Sequence, residues 1–282
     1  MNIWARLANL DRRIYYFLLI LVVALPMVKP WGLPIKTGKE ARSFYETIEN
    51  LPAGSTIALA IEYGVLVTTE LNPQVAALYK QALGRGLRII MWSAVDPEGA
   101  NVTQSLLVPI TEQMGKKYGV DWVNLGFKPG GDVTTKKLVD SFWEGAGYVD
   151  ISGTRLENLP IMQGFTSMAK ASLLVVVTGT LPGPDKYLKM VSIPTGLQMA
   201  VGTTAGMAST ENQYYRSGQY KGLLMGARGG AEYEFLTGHP GRAIVNMDSQ
   251  SAAHIMVVLL IVLGNVGYFV SKKKAALAAS GR

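Results

Sequence analysis

The sequence predicts an α/β domain, built on a mainly parallel sheet of about five strands and held between two transmembrane helices. Three observations lead there. Short β-rich runs alternate with longer helical patterns through residues 34–250. An uncharged apolar run stands near each end, with basic residues beside it. And 282 residues contain no cysteine, with 49% hydrophobic and only 17% charged residues, an apolar balance for a water-soluble domain. The missing cysteines exclude disulfides, thiolate metal sites and cysteine nucleophiles. Two histidines, His239 and His254, exclude a histidine-rich metal centre.

The first apolar run is Ile14 to Val28, after Arg12 and Arg13 and before Lys29. It is short for a span of about 20 residues. A snorkelling Lys29 and an interfacial Trp31 extend it to Leu33, giving a first transmembrane segment over 14–33. The second, 251–270, is twenty residues without a formal charge, followed by Lys272, Lys273 and Lys274. Val22-Val23-Ala24 is a poor cleavage site, so the first run reads as an uncleaved anchor. Positive flanks on the outer sides of both runs place the termini, 1–13 and the basic tail 271–282, in the cytoplasm, and residues 34–250 outside it. Residues 1–28 and 271–282 hold a net charge of +6 out of +7, so the domain between is almost neutral and no basic surface for nucleic acid is expected. His254, one turn into the second run, reads as a neutral imidazole near the headgroups.

Between the anchors the strand candidates are Ser55–Glu62, Leu87–Trp92, Val120–Leu125, Ser172–Thr178 and Leu197–Gly202. Most are nearly continuous apolar stretches, the pattern of strands covered on both faces. Asn72 with Pro73 is expected to open one intervening helix, which Gly84 and Gly86 close. Asn101 with Gln104 resembles a capping box for the next, ending near Tyr118-Gly119. An extra short strand is expected near Tyr148–Ile151. This alternation implies right-handed crossovers and a three-layer sandwich of flavodoxin-like or Rossmann-like type.

Ligands of such sheets bind beyond the carboxyl ends of the strands. There, Lys128-Pro129-Gly130-Gly131-Asp132 precedes a helix, a candidate anion cradle of free N–H groups and one lysine. Asp132 is equally a natural N-cap. Glu62, Asp96, Asp185 and Glu211 lie on the same rim as candidate acids or metal ligands. Ser167-Met168-Ala169-Lys170 and Lys36-Thr37-Gly38 match fragments of a penicillin-binding signature, but in the wrong order and without its third motif. No phosphate-binding P-loop, dinucleotide fingerprint or nucleophile elbow occurs. No cofactor is implied.

The most unusual feature is Gly218, Gly222, Gly226 and Gly230. At four-residue spacing they share one stripe of a helix. Each costs a helix about 1 kcal/mol relative to alanine, so four in register call for a close backbone approach. The partner is either the domain's own sheet or a neighbouring subunit.

The stretch SGQYKGLLMGARGGAEYE, with LQMAVGTTAG and MWSAVDPEGAN, resembles a family of uncharacterised prokaryotic membrane proteins. Its members carry an anchor at each end of an α/β domain, a layout matched over residues 10–270. The resemblance implies the cytoplasmic membrane as location and no catalytic residue. In pattern the domain is also similar to sugar-binding-like domains of gliding-motility and ciliary-transport proteins, which implies a non-enzymatic interaction module. Three readings follow: a membrane-anchored scaffold forming homo-oligomers or larger complexes, an anion- or small-molecule-binding sensory domain, and a membrane-surface hydrolase or transferase using Asp96, Asp185 or Glu211.

Overall fold

A computed structural model describes residues 11–280; Arg6 and Arg282, counted among the cytoplasmic flanks, lie outside the described residues. The chain divides into two compact units, one of residues 35–243 and one formed by the two chain ends. The second contains α1 (Arg12–Val28) and most of α9 (Arg242–Ser280). Asp11 opens α1 by accepting the Arg13 N–H at 2.9 Å, so the acid beside the paired arginines is an N-cap. Among the described residues one helical stretch, Arg242–Val270, is long and apolar enough to cross a membrane; Arg13–Val28 is a shorter apolar helix.

The α/β unit begins with α2 (Lys39–Glu49) and then alternates: β1 (Thr56–Glu62), α3 (Thr68–Gly84), β2 (Arg88–Ser93), α4 (Gly99–Gln113), β3 (Trp122–Phe127), α5 (Asp132–Asp140) and α6 (Phe142–Gly145). After β4 (Leu173–Thr178) a helical stretch runs through Asp185–Tyr187, Leu188–Ser192 and Ile193–Thr195. Then come β5 (Met199–Thr203), α7 (Ala208–Arg216), β6 (Gly222–Met225) and α8 (Gly226–Leu236). All six strands are parallel, in the order β3-β2-β1-β4-β5-β6. This is the doubly wound Rossmann-type order, with its reversal between β1 and β4.

Strand periodicity divides the core in two. Ile57, Leu59, Ile61, Val175 and Val177 face Phe44 of α2, Leu78 of α3, Leu107 of α4 and Tyr233 of α8. Ala58, Ala60, Leu174, Val176 and Val201 face Leu138, Phe142, Tyr187 and Tyr220. With both faces covered, every residue of β1 and β4 is buried, which is why these strands are apolar except at their ends, Thr56, Glu62 and Thr178.

The five expected strands are all present within one or two residues. β6 is the sixth, and it corrects the glycine ladder. Gly218 lies in a turn, Gly222 begins the strand, Gly226 opens α8 and only Gly230 lies inside that helix. Gly218 and Gly226 adopt left-handed backbone at φ +80° and +60°, which no helical stripe allows. The extra strand at 148–151 is reduced to one antiparallel bridge, Val149 to Arg155. The α3 helix starts a turn before Asn72, whose side chain instead accepts the Tyr63 hydroxyl at 2.9 Å. Nor do Asn101 and Gln104 cap α4: it starts at Gly99, where a Cβ would strike the Ile61 carbonyl. It stops at Gln113, well short of Tyr118.

Candidate functional site

The carboxyl rim at the β1/β4 reversal is organised by Glu62. It is the one charged residue of β1, and it is 1% exposed. Ionised, it can only accept hydrogen bonds, and buried it must find donors. The β2–α4 loop supplies three: the N–H groups of Ala94, Val95 and Asp96 reach the carboxylate at 2.8, 2.8 and 2.9 Å. Ser93 Oγ adds a fourth at 3.1 Å, and the Tyr187 hydroxyl a fifth across the core. Burial first, then the Glu62 charge, holds the Tyr187 phenol well above its ordinary pKa, so it stays a donor. The arrangement has the donor pattern of an anion nest, filled by the chain's own carboxylate.

The four rim acids come together as two pairs. Asp96 joins the Glu62 cluster through its N–H, while its carboxylate accepts the Glu98 N–H at 2.9 Å. Asp185 and Glu211 form the second pair, both 3.5 Å from where a Cβ on Gly183 would stand. Asp185 is paired with Lys189 at 2.8 Å. Glu211, 3% exposed, accepts the Tyr220 hydroxyl at 2.9 Å. Burial raises the Glu211 pKa, and the Asp185 charge pushes it further, against the Tyr220 hydrogen bond. Among the described residues no group of three metal-ligating side chains is present.

A raised folded-state pKa means that the folded chain binds more protons than the unfolded one over the interval between the two values. Stability contributed by protonated Glu211 is therefore full below the ordinary glutamate range and falls as pH rises through the folded-state value. Glu211→Gln, which keeps an acceptor for Tyr220, is expected to remove that loss and raise the melting temperature on the alkaline side. Melting curves of both proteins across the acidic-to-neutral range check this.

The Lys128 segment is built as a turn. Lys128 Nζ donates to the Val149 carbonyl at 3.0 Å, and burial lowers its pKa. Gly130 and Gly131 take φ +114° and +56°, and Thr134 Oγ1 bonds the Pro129 carbonyl. Gly131 is the N-cap of α5, and Asp132 is its first residue. The Asp132 carboxylate meets Lys186 Nζ at 3.2 Å, and this lysine side chain is 5% exposed. The lysine nominated for an anion is thus engaged with backbone, and the buried cation here is Lys186.

The glycines nominated as an interface are mostly internal. Gly222, Gly226 and Gly230 are buried and Gly218 is exposed. A Cβ on Gly222 would fall on the Phe44 backbone of α2; on Gly226 it would come within 2.9 Å of Ala205 and Glu70. The rim instead exposes apolar side chains, Leu66 at 94%, Leu181 at 80% and Val65 at 58%. The loops carrying them adjoin, since a Cβ on Gly179 would meet Val67 at 2.7 Å. At the other end of the sheet, Ser43, Thr47, Asn50, Leu51, Gln198 and Lys221 line an open depression of about 330 Å³ with mixed polar and apolar walls.

Among the described residues four buried carboxylates outside the rim escaped sequence reasoning, the first being Asp150, which accepts the Tyr118 hydroxyl at 3.0 Å. Glu232 accepts the Gly38 N–H at 2.8 Å, ahead of α2. Glu234 accepts those of Gly241 and Ala243 at 3.0 and 3.1 Å, where α9 begins. Asp248, 2% exposed, accepts three from residues 31–33. For Asp248 the available signal was an acid shortly ahead of the uncharged run 251–270.

No protein-family model, curated protein or solved structure matches this chain.

Proposed function

We propose that this chain is a membrane-anchored, non-enzymatic assembly subunit, forming homo-oligomers or joining a larger membrane complex. Its anchors are α1 and α9, in a prokaryotic cytoplasmic membrane with both termini inside and the α/β unit outside. The observation that carries the assembly reading is the carboxyl rim. Its inward-facing donors are engaged by Glu62, while its outward face presents Val65, Leu66 and Leu181. Clustered exposed apolar side chains are the material of interface centres. The rim takes over the contact role first assigned to the glycine ladder. Support for the anchors comes from α9, whose apolar window is only 6% buried by the rest of the chain.

Extraction in mild detergent followed by mass measurement tests this reading. The parent is expected as a particle of several chains or of fixed partners. The double variant Leu66→Asp with Leu181→Asp is expected as a single chain, with domain stability changed by no more than about 0.5 kcal/mol because both side chains are exposed. A parent that is a single chain, or a double variant of unchanged size, would overturn it. A single chain carrying a small molecule would favour the sensory reading, at Asp185 and Glu211, where the structure gathers two carboxylates beside the backbone of Gly183.

A further inference from the structure

The unit formed by the chain ends contains a device that an anchor pair does not need merely to hold a domain at a membrane. Trp31, Gly32 and Leu33 follow α1, and their three consecutive N–H groups converge on the carboxylate of Asp248 at 2.9, 2.9 and 3.1 Å. Gly32 makes the convergence possible by adopting φ +62°, with open space where a Cβ would stand. Successive N–H groups turned to one side in this way form an anion nest, and here the anion is a residue of α9. Asp248 is 2% exposed whereas Trp31 and Gly32 lie at the surface, so the carboxylate is the partner for which losing these donors would be unfavourable.

The helix that precedes this nest is weak as a span. Its 17 residues give a length of about 26 Å at the α-helical rise, short of the roughly 30 Å hydrocarbon thickness of a bilayer. It also contains Pro26 in its last turns. In α9 the span candidate lies within Arg242–Val270, and its uncharged part, 251–270, is twenty residues, about 30 Å and enough for the same thickness. One helix is therefore self-sufficient and the other is not. Among the described residues the Asp248 clamp ties their segments together, just past the end of α1.

We propose that Asp248 fastens α1 into the membrane, so that the first helix stays inserted only as the partner of α9. This rests on the anchor reading above. It has a consequence for order: Trp31 and Asp248 are 217 residues apart, so the placement of α1 is completed only after the whole α/β unit has been made. Asp248 acts here as a positioning residue, through the backbone it holds.

The absence of cysteine allows single-site labelling of the full chain in sealed native membrane vesicles. Asn2→Cys and Ser280→Cys are introduced separately and probed with a membrane-impermeant maleimide. In the parent background both positions are expected to react from the same side. Adding Asp248→Ala is expected to move the Asn2→Cys label to the opposite side in most molecules while leaving Ser280→Cys unchanged. Gly32→Pro attacks the clamp from its other half, removing one N–H and forbidding the positive φ, and is expected to do the same. Protease resistance of the α/β unit in the same vesicles shows that each variant is folded, and two unrelated variants guard against either one failing.

If Asn2→Cys keeps its side in both variants, the clamp does not hold α1 and the inference is overturned while the anchors stand. If alkaline carbonate strips the parent from the vesicles, the anchor reading fails and this inference fails with it.

Discussion

Replacing Glu62 by alanine is expected to destabilise the α/β unit by roughly 3–5 kcal/mol, because it strands a set of donors inside the core. The N–H groups of Ala94, Val95 and Asp96 and the Tyr187 hydroxyl all terminate on this one carboxylate, which shares the Ser93 hydroxyl with the Asp96 carbonyl. The informative companion is Glu62→Gln. Oε1 receives Ala94 and Tyr187; Oε2 receives Ser93, Val95 and Asp96. Whichever way an amide is turned, its NH₂ faces at least one backbone donor. The conservative substitution is therefore expected to cost nearly as much as alanine. Urea midpoints with unchanged slope would establish the loss, and hydrogen exchange should show residues 93–98 opening first. A Glu62→Gln protein as stable as the parent would remove Glu62 from its organising role.

Gly222→Leu is the second large effect, and it separates two accounts of the same glycines. On a helical stripe Gly218 and Gly222 would be equivalent. In the fold they are not. A Cβ on Gly222 collides with Phe44 N at 2.5 Å, and with neighbouring backbone, where no side chain can rotate aside. The cost is expected to be about 3 kcal/mol or more, since α2 must lift from β6. Gly218, by contrast, has open space around its Cβ position and only its φ of +80° to defend. Gly218→Ala should cost about 1–2 kcal/mol, the left-handed penalty alone. Chemical denaturation of the two variants reads the difference. Equal losses would contradict the strand assignment.

The parts of the fold legible in the sequence are those set by short-range pattern. Apolar runs such as LLVVVT and TIALAIE are buried on both faces, and that leaves a mark on every residue. The strand GLLM was not legible, because four residues between glycines at helical spacing carry no period of their own. The rim acids were legible as residue types. Their pairing was not: Tyr187 lies 125 residues from Glu62, and no local signal announces that contact. Lys128 shows the converse error. A lysine before two glycines suggests an anion, yet its ammonium is spent on the Val149 carbonyl, a partner fixed only by tertiary packing. Asp248 went unread because a carboxylate beside a span is ordinarily solvated, whereas here a backbone turn wraps it.

The strand order also sets a timetable. β1 is central, with β2 on one side and β4 on the other, and the bond from Thr178 Oγ1 to the Glu62 carbonyl closes a separation of 116 residues. Until β4 is made, the nascent β1-β2-β3 half carries an unpaired β1 edge, apolar from Ile57 to Ile61, of the kind that recruits other chains. Pairing across so long a loop is slow, so the vulnerable interval is extended. Fragments ending before Leu173 should be insoluble rather than half-folded. The α/β unit has no smaller independent piece, and its maturation waits on its carboxyl half.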